Sequence, residues 1–199
     1  MATSGDHEPA LELFRDAARA DRFDPQPSYL EGLTLLLLER HHQAVEAYEA
    51  TEELAPGWFH CRSNLWLARR LALGDLEHEA FLALFTLMDG PGTPKEKYQL
   101  ARRAVSQWSG LAPLYLELGE AAGALGHHQE AEAAYREGLN HAEEPDVRTR
   151  LLVQLGVLTR SEAERDRLLR EAEELEGNLV SAAMATVFRK RKPDVRSGR

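Results

Sequence analysis

The chain has no isoleucine, a single cysteine in 199 residues and no long apolar run, and each shortage removes a class of protein. With Cys61 alone there is no internal disulfide and no zinc site built on several thiolates, and a reducing, cytoplasmic setting fits best. The leucine run from Leu35 to Leu38 is far too short to span a bilayer. The opening residues, MATSGDHEPALEL, are polar and acidic, without the basic start or apolar stretch of a secretory signal. Lys and Arg number 24 against 33 Asp and Glu, a net charge of −9. That balance excludes a whole-body binder of nucleic acid or anionic membrane, because such binding rests on clustered cations. Alternating runs of Val, Thr and aromatic residues, the mark of half-buried strands, are missing too.

Leu, Ala, Glu and Arg dominate instead, and these residues lose little rotamer freedom in a helix. Apolar spacings of three and four residues predict roughly eleven short helices, over 8–20, 27–39, 42–54, 58–73, 76–88, 94–108, 112–125, 128–141, 146–158, 161–175 and 178–191. Turn signals separate them: Pro25 and Pro27 before the second, Pro56 and Gly57 before the fourth, Gly126 between the seventh and eighth. Two starts are explicit. Thr93 can cap a helix with Pro94 in its first turn and Glu96 answering, and Ser161 with Glu164 offers a second capping box.

The pattern repeats. In YLELGEAAGALGHHQEAEAAYREGL, the residues Tyr115, Leu118, Gly119, Ala122, Gly126, Ala131, Tyr135 and Gly138 stand at intervals that resemble a tetratricopeptide repeat. Small residues such as Gly119 and Ala131 let two antiparallel helices approach, while Tyr115, Leu118 and Tyr135 fill the space beside the contact. Gly32, Leu35, Ala44, Tyr48 and Pro56 follow the same frame, and Leu67, Ala68, Leu71, Ala80 and Leu84 follow it more weakly. Ala10 stands 34 residues before Ala44, one period of that family. From Ala80 to Ala131 the interval is 51, one period and half of another, so the helix at 94–108 is an extra element.

The resemblance implies an all-α fold, with antiparallel helix pairs stacked as a tetratricopeptide-like α-solenoid. It would form a single helical-repeat domain over 1–191, with a half unit at 8–24 and units at 25–58, 59–92, 112–145 and 149–177. A capping helix at 178–191 and a disordered basic tail at 192–199 would complete it. The competing account of the stripes is ordinary packing in an unrelated helical bundle.

In such arrays the first helix of each unit lines the concave surface. The resemblance therefore implies a partner-binding groove made by Tyr29, Leu33, Leu36 and Leu37, then Arg62, Leu65 and Arg69, then Leu116 and Glu120. An apolar strip flanked by Arg62 and Arg69 suits an amphipathic helix or an extended peptide with acidic residues. Some of these leucines could instead pack against the N-terminal helix or the helix at 94–108. Members that clamp chaperone C-termini use Lys and Asn where this chain has Tyr29, Leu33 and Trp66, so that activity is not implied.

Catalysis finds no constellation. The pairs His41–His42 and His127–His128 sit in turns, and adjacent histidines point apart with no cysteine or fixed carboxylate at ligand spacing. His78 and Glu79 begin a metalloprotease-like motif, but position 82 is leucine. GPGTPK at 90–95 lacks the Lys-Ser/Thr pair and the preceding strand of a phosphate loop. No cofactor, metal or small-molecule substrate is expected. The expectation is a non-catalytic adaptor that holds a protein or peptide partner. The alternative places function in residues 189–199, where six basic groups and one acid could tether an acidic body to nucleic acid or anionic membrane.

Overall fold

A computed structural model describes residues 7–58 and 61–175, and these are helical throughout apart from their turns. The helices are α1 (His7–Ala20), α2 (Pro25–Leu37), α3 (His41–Leu54), α4 (Cys61–Leu73), α5 (His78–Asp89), α6 (Pro94–Gln107), α7 (Ala112–Ala124), α8 (His128–His141) and α9 (Pro145–Leu158). A tenth, α10, runs over 162–175. They follow one another as antiparallel pairs, and no strand occurs among the described residues. The expected helix at 178–191 and the tail at 192–199 lie outside the described residues.

Boundaries follow capping chemistry. Asp24 accepts from the Gln26 N–H at 2.9 Å, so α2 starts at Pro25, two residues earlier than periodicity alone suggested. Thr93 and Glu96 form the reciprocal capping box expected of them. At Ser161 only half the box forms: its hydroxyl accepts from the Glu164 N–H, while the Glu164 carboxylate turns to the Thr159 hydroxyl and Arg136. Helix α2 ends in a Schellman turn, with Arg40 N–H donating to Leu35 C=O at 2.9 Å and Glu39 N–H to Leu36 C=O at 3.1 Å. Helices α4 and α7 end in the same way, with Gly74 and Gly126 in the left-handed region where α2 has Glu39.

Packing groups the chain into two compact halves, one reaching to Leu82 and the other beginning at Ala83. Their interiors share a plan. Helices α1, α2 and α3 begin 87 residues before α6, α7 and α8, at His7 and Pro94, Pro25 and Ala112, His41 and His128. In both halves the first helix packs on the second and the second on the third. The helix expected to be an extra element thus stands to α7 as α1 stands to α2.

The helix pairs close through the same two residues in each half. A Cβ on Gly32 would meet the Tyr48 ring at 2.9 Å, and one on Gly119 would overlap the Tyr135 ring. Tyr48 and Tyr135 are both buried, so the missing side chain is what seats the tyrosine. The surrounding volume is redistributed. Tyr115 leans over Gly138 in the C-terminal half, where the N-terminal half has Ser28 and Thr51 at the equivalent positions. Around Tyr48 the core holds Leu35, Leu36, Ala44, Cys61 and Ala68, and around Tyr135 it holds Leu116, Ala122, Ala131, Leu151 and Leu155.

Candidate functional site

Helix α2 has two leucine faces. Leu36 is fully buried beside Leu35 and Gly32, whereas Leu30, Leu33 and Leu37, three and four residues apart, form a half-buried stripe. Tyr29 is buried too. Its ring meets Tyr48 and Trp58 edge-on at centroid distances of 5.7 and 5.3 Å, and its hydroxyl accepts from Asn64 Nδ2 at 2.8 Å. It pins α2 to α3 and α4, which is a structural duty.

Helix α4 lies against both α2 and α3. Leu65 is buried in that contact. Arg62 Nε donates to Glu52 Oε1 at 2.8 Å, and the same oxygen accepts from Gly57 N–H at 2.9 Å, fastening the turn between α3 and α4. Arg69 donates to Glu49 at 2.8 Å. Both carboxylates belong to α3, so these arginines lie on the flank of α4 that faces α3. Trp66 is half-buried with the Arg70 guanidinium 5.0 Å above its ring, and Leu73 is 74% exposed.

In the C-terminal half the stripe of α7 is polar. Glu117 and Glu120 occupy the register of Leu30 and Leu33. Glu117 is half-buried, and burial, reinforced by the nearby Glu120 charge, raises its carboxyl pKa to about 7. Glu120 is exposed, accepts from Gln154 Nε2 at 3.3 Å and lies 3.8 Å from the Arg150 guanidinium. Leu116 is 1% exposed and belongs to the core.

Nucleophilic chemistry has no foothold at Cys61, whose thiol is buried, donates to Tyr48 C=O at 3.3 Å and is pushed up to about 11 by desolvation. Among the described residues no three His, Cys, Asp or Glu side chains gather as a metal ion would require. No helix among them is long and apolar enough to cross a membrane.

Residues 112–143, helices α7 and α8 with their turn, match the family model of the tetratricopeptide repeat. This segment is a tetratricopeptide repeat. No curated protein sequence matches the chain. Solved structures similar to it include a thermophilic tetratricopeptide-repeat protein of Thermus thermophilus, at 22% identity over 92% of this chain and 91% of that one, with a TM-score of 0.42. Another is the segment of MamA from residue 41 to its end, from Desulfovibrio magneticus RS-1, at 18% identity over 95% and 89%, with a TM-score of 0.36.

Helix α7 is the first helix of its repeat, and the expected division into units would make α2, α4 and α9 first helices too. Of the nine residues assigned to a groove, Leu33, Leu37 and Glu120 present side chains at a surface. Tyr29, Leu36, Leu65 and Leu116 are interior, and Arg62 and Arg69 are engaged with α3. The four interior side chains share a cause: a helix next to two others buries about half its circumference, and apolar character does not say which half. Sequence reading also placed His41 in a solvated turn. It is instead half-buried, with Nε2 3.2 Å from His78 Nδ1, and burial with the second imidazole lowers its pKa. Thirty-seven residues separate the two, so no local signal could have joined them. Glu117 was detectable as the carboxylate of α7 that stands between Leu116 and Leu118, in an otherwise apolar run from Leu114.

Proposed function

We propose that this chain is a non-catalytic interaction scaffold that holds a peptide or helix of a partner protein on the first-helix face of its N-terminal half. Tetratricopeptide repeats serve generally as protein-interaction frames, which sets the class. The observation that carries the specific reading is the stripe of Leu30, Leu33 and Leu37 on α2, together with the half-buried Trp66 and the exposed Leu73 on α4, in a chain of net charge −9. An amphipathic helix would find side chains at helical spacing there, with polar groups at the rim.

The buried Leu36 is the wrong residue to test, because a charge there would disrupt the core. Leu33→Glu with Leu37→Glu alters the stripe and spares the interior. Affinity capture from a lysate of the source organism, with circular dichroism on the same preparations, should show a partner retained by the native chain and lost by the folded double variant. Equal retention by both would defeat the reading.

A further inference from the structure

A second surface, independent of the leucine stripe, lies along α6 and differs from its counterpart on α1. A groove of about 800 Å³ runs beside α6, lined by Lys95, Tyr98, Arg102, Arg103, Leu125 and His127. Their equivalents 87 residues earlier are Glu8, Leu11, Arg15, Asp16, Leu38 and Arg40.

In the N-terminal half this surface is closed upon itself. Arg40 pairs with Glu8, Arg19 with Asp16, and Arg15 with Glu31 at 2.8 Å and Glu12 at 3.1 Å, over a fully buried Leu11. In the C-terminal half the pairing logic is gone. Lys95 and His127 stand where Glu8 and Arg40 pair, Arg103 replaces Asp16, and Leu118 replaces Glu31. Lys95 and Arg103 are exposed and form no ion pair among the described residues. Arg102 lies over the Tyr98 ring at 5.7 Å and 3.9 Å from Glu130, whose carboxylate also accepts from the Tyr98 hydroxyl at 2.7 Å and sits 3.8 Å from His127. Glu130 thus offsets Arg102, while Lys95 and Arg103 line the same groove without an acid of their own among the described residues.

We infer that the α6 groove is a docking site for an acidic, extended peptide segment of a partner protein. A volume of this size accommodates several residues of chain. Tyr98 and the half-buried Leu125 supply apolar floor, and Lys95, Arg102 and Arg103 supply positive charge, for which the acidic residues of the peptide are the countercharge that Glu8, Glu12 and Asp16 provide on α1. On an acidic protein such a cationic patch attracts acidic segments locally, while the rest of the surface repels them, which favours one site over diffuse adhesion.

The test is selection of short random displayed peptides on the full chain, followed by titration of the enriched peptides at low and high salt. Enriched sequences should be rich in Asp and Glu and should bind more weakly as salt is added. The Lys95→Glu, Arg103→Asp variant installs residues already present at the same register of α1. It should keep its helix content and melting temperature yet bind at least about tenfold more weakly, as expected when two countercharges are reversed. Arg22→Glu, in the exposed turn between α1 and α2, should leave binding unchanged. The milder Lys95→Gln, Arg103→Gln variant covers the case in which the reversed charges disturb folding. Selection without acidic enrichment, or acidic peptides that bind the folded α6 variants as tightly as the native chain, would overturn the inference.

Discussion

At positions 30 and 33 the N-terminal half carries leucine, and at the equivalent positions 117 and 120 the C-terminal half carries glutamate. At positions 8 and 16 the first half has acids, and at 95 and 103 the second has cations. Between these differences the frame is held constant: the glycine that seats a tyrosine, the Schellman turn, the spacing of the helix starts and the packing of first helix on second. The interior cannot change one residue without a compensating change beside it, as the exchange of Ser28 and Thr51 for Tyr115 and Gly138 shows. The surface can change freely, and it has diverged in charge and polarity. The two proposed recognition surfaces therefore lie where the halves differ.

The comparison is broken most severely at the glycines. Gly119→Ala should cost about 3 kcal/mol and Gly32→Ala about 1–2 kcal/mol, the range of overpacking in a rigid core, because the added methyl overlaps the Tyr135 ring more deeply than the Tyr48 ring. Urea denaturation followed by circular dichroism checks the order, and equal costs would show that the two seats are equally accommodating.

Glu117 offers the next largest effect. Its carboxyl titrates near 7 in the folded chain, against an ordinary value of 4.5. At pH values below the unfolded pKa both states hold the proton and no penalty arises. As pH rises from that value towards 7 the unfolded chain releases its proton first, so the folded state loses stability, by about 3 kcal/mol once the group is ionised in both. Glu117→Leu, which copies Leu30, should abolish that slope and stabilise the chain at pH 8, with a smaller gain at pH 4. A gain independent of pH would mean that lost apolar contact, not desolvated charge, sets the penalty.

The smallest effect sharpens the likeness. Glu39 has φ of +59° where Gly74 and Gly126 hold the same turn. Glu39→Gly should therefore stabilise the N-terminal half by about 1 kcal/mol, the strain that a side chain adds in the left-handed region. A thermal melt that fell instead would show that the carboxylate, 3.9 Å from His78, contributes more than the turn strain costs.

Much of the fold was legible in residues alone. The ten described helices follow the apolar spacings closely, with Thr93 and Glu96 closing the capping box their types suggested. The tetratricopeptide frame could be read from Gly119, Ala131 and Tyr135, since small and aromatic residues recur wherever helices must approach. The candidate site was less legible. Tyr29, Leu36 and Leu116 fit a groove by position yet lie inside, and the α6 surface emerged only when its residues were placed against those of α1.

The sequence by itself thus determined which segments are helices, where they stop and which pairs close, because those outcomes depend on neighbours a few residues away. Tertiary structure alone decided which leucines meet solvent, that Arg62 and Arg69 are already paired, and that Lys95 and His127 line one groove where Glu8 pairs with Arg40. Burial and charge pairing depend on what another helix brings within a few ångströms, and local periodicity along the chain carries no record of that neighbour.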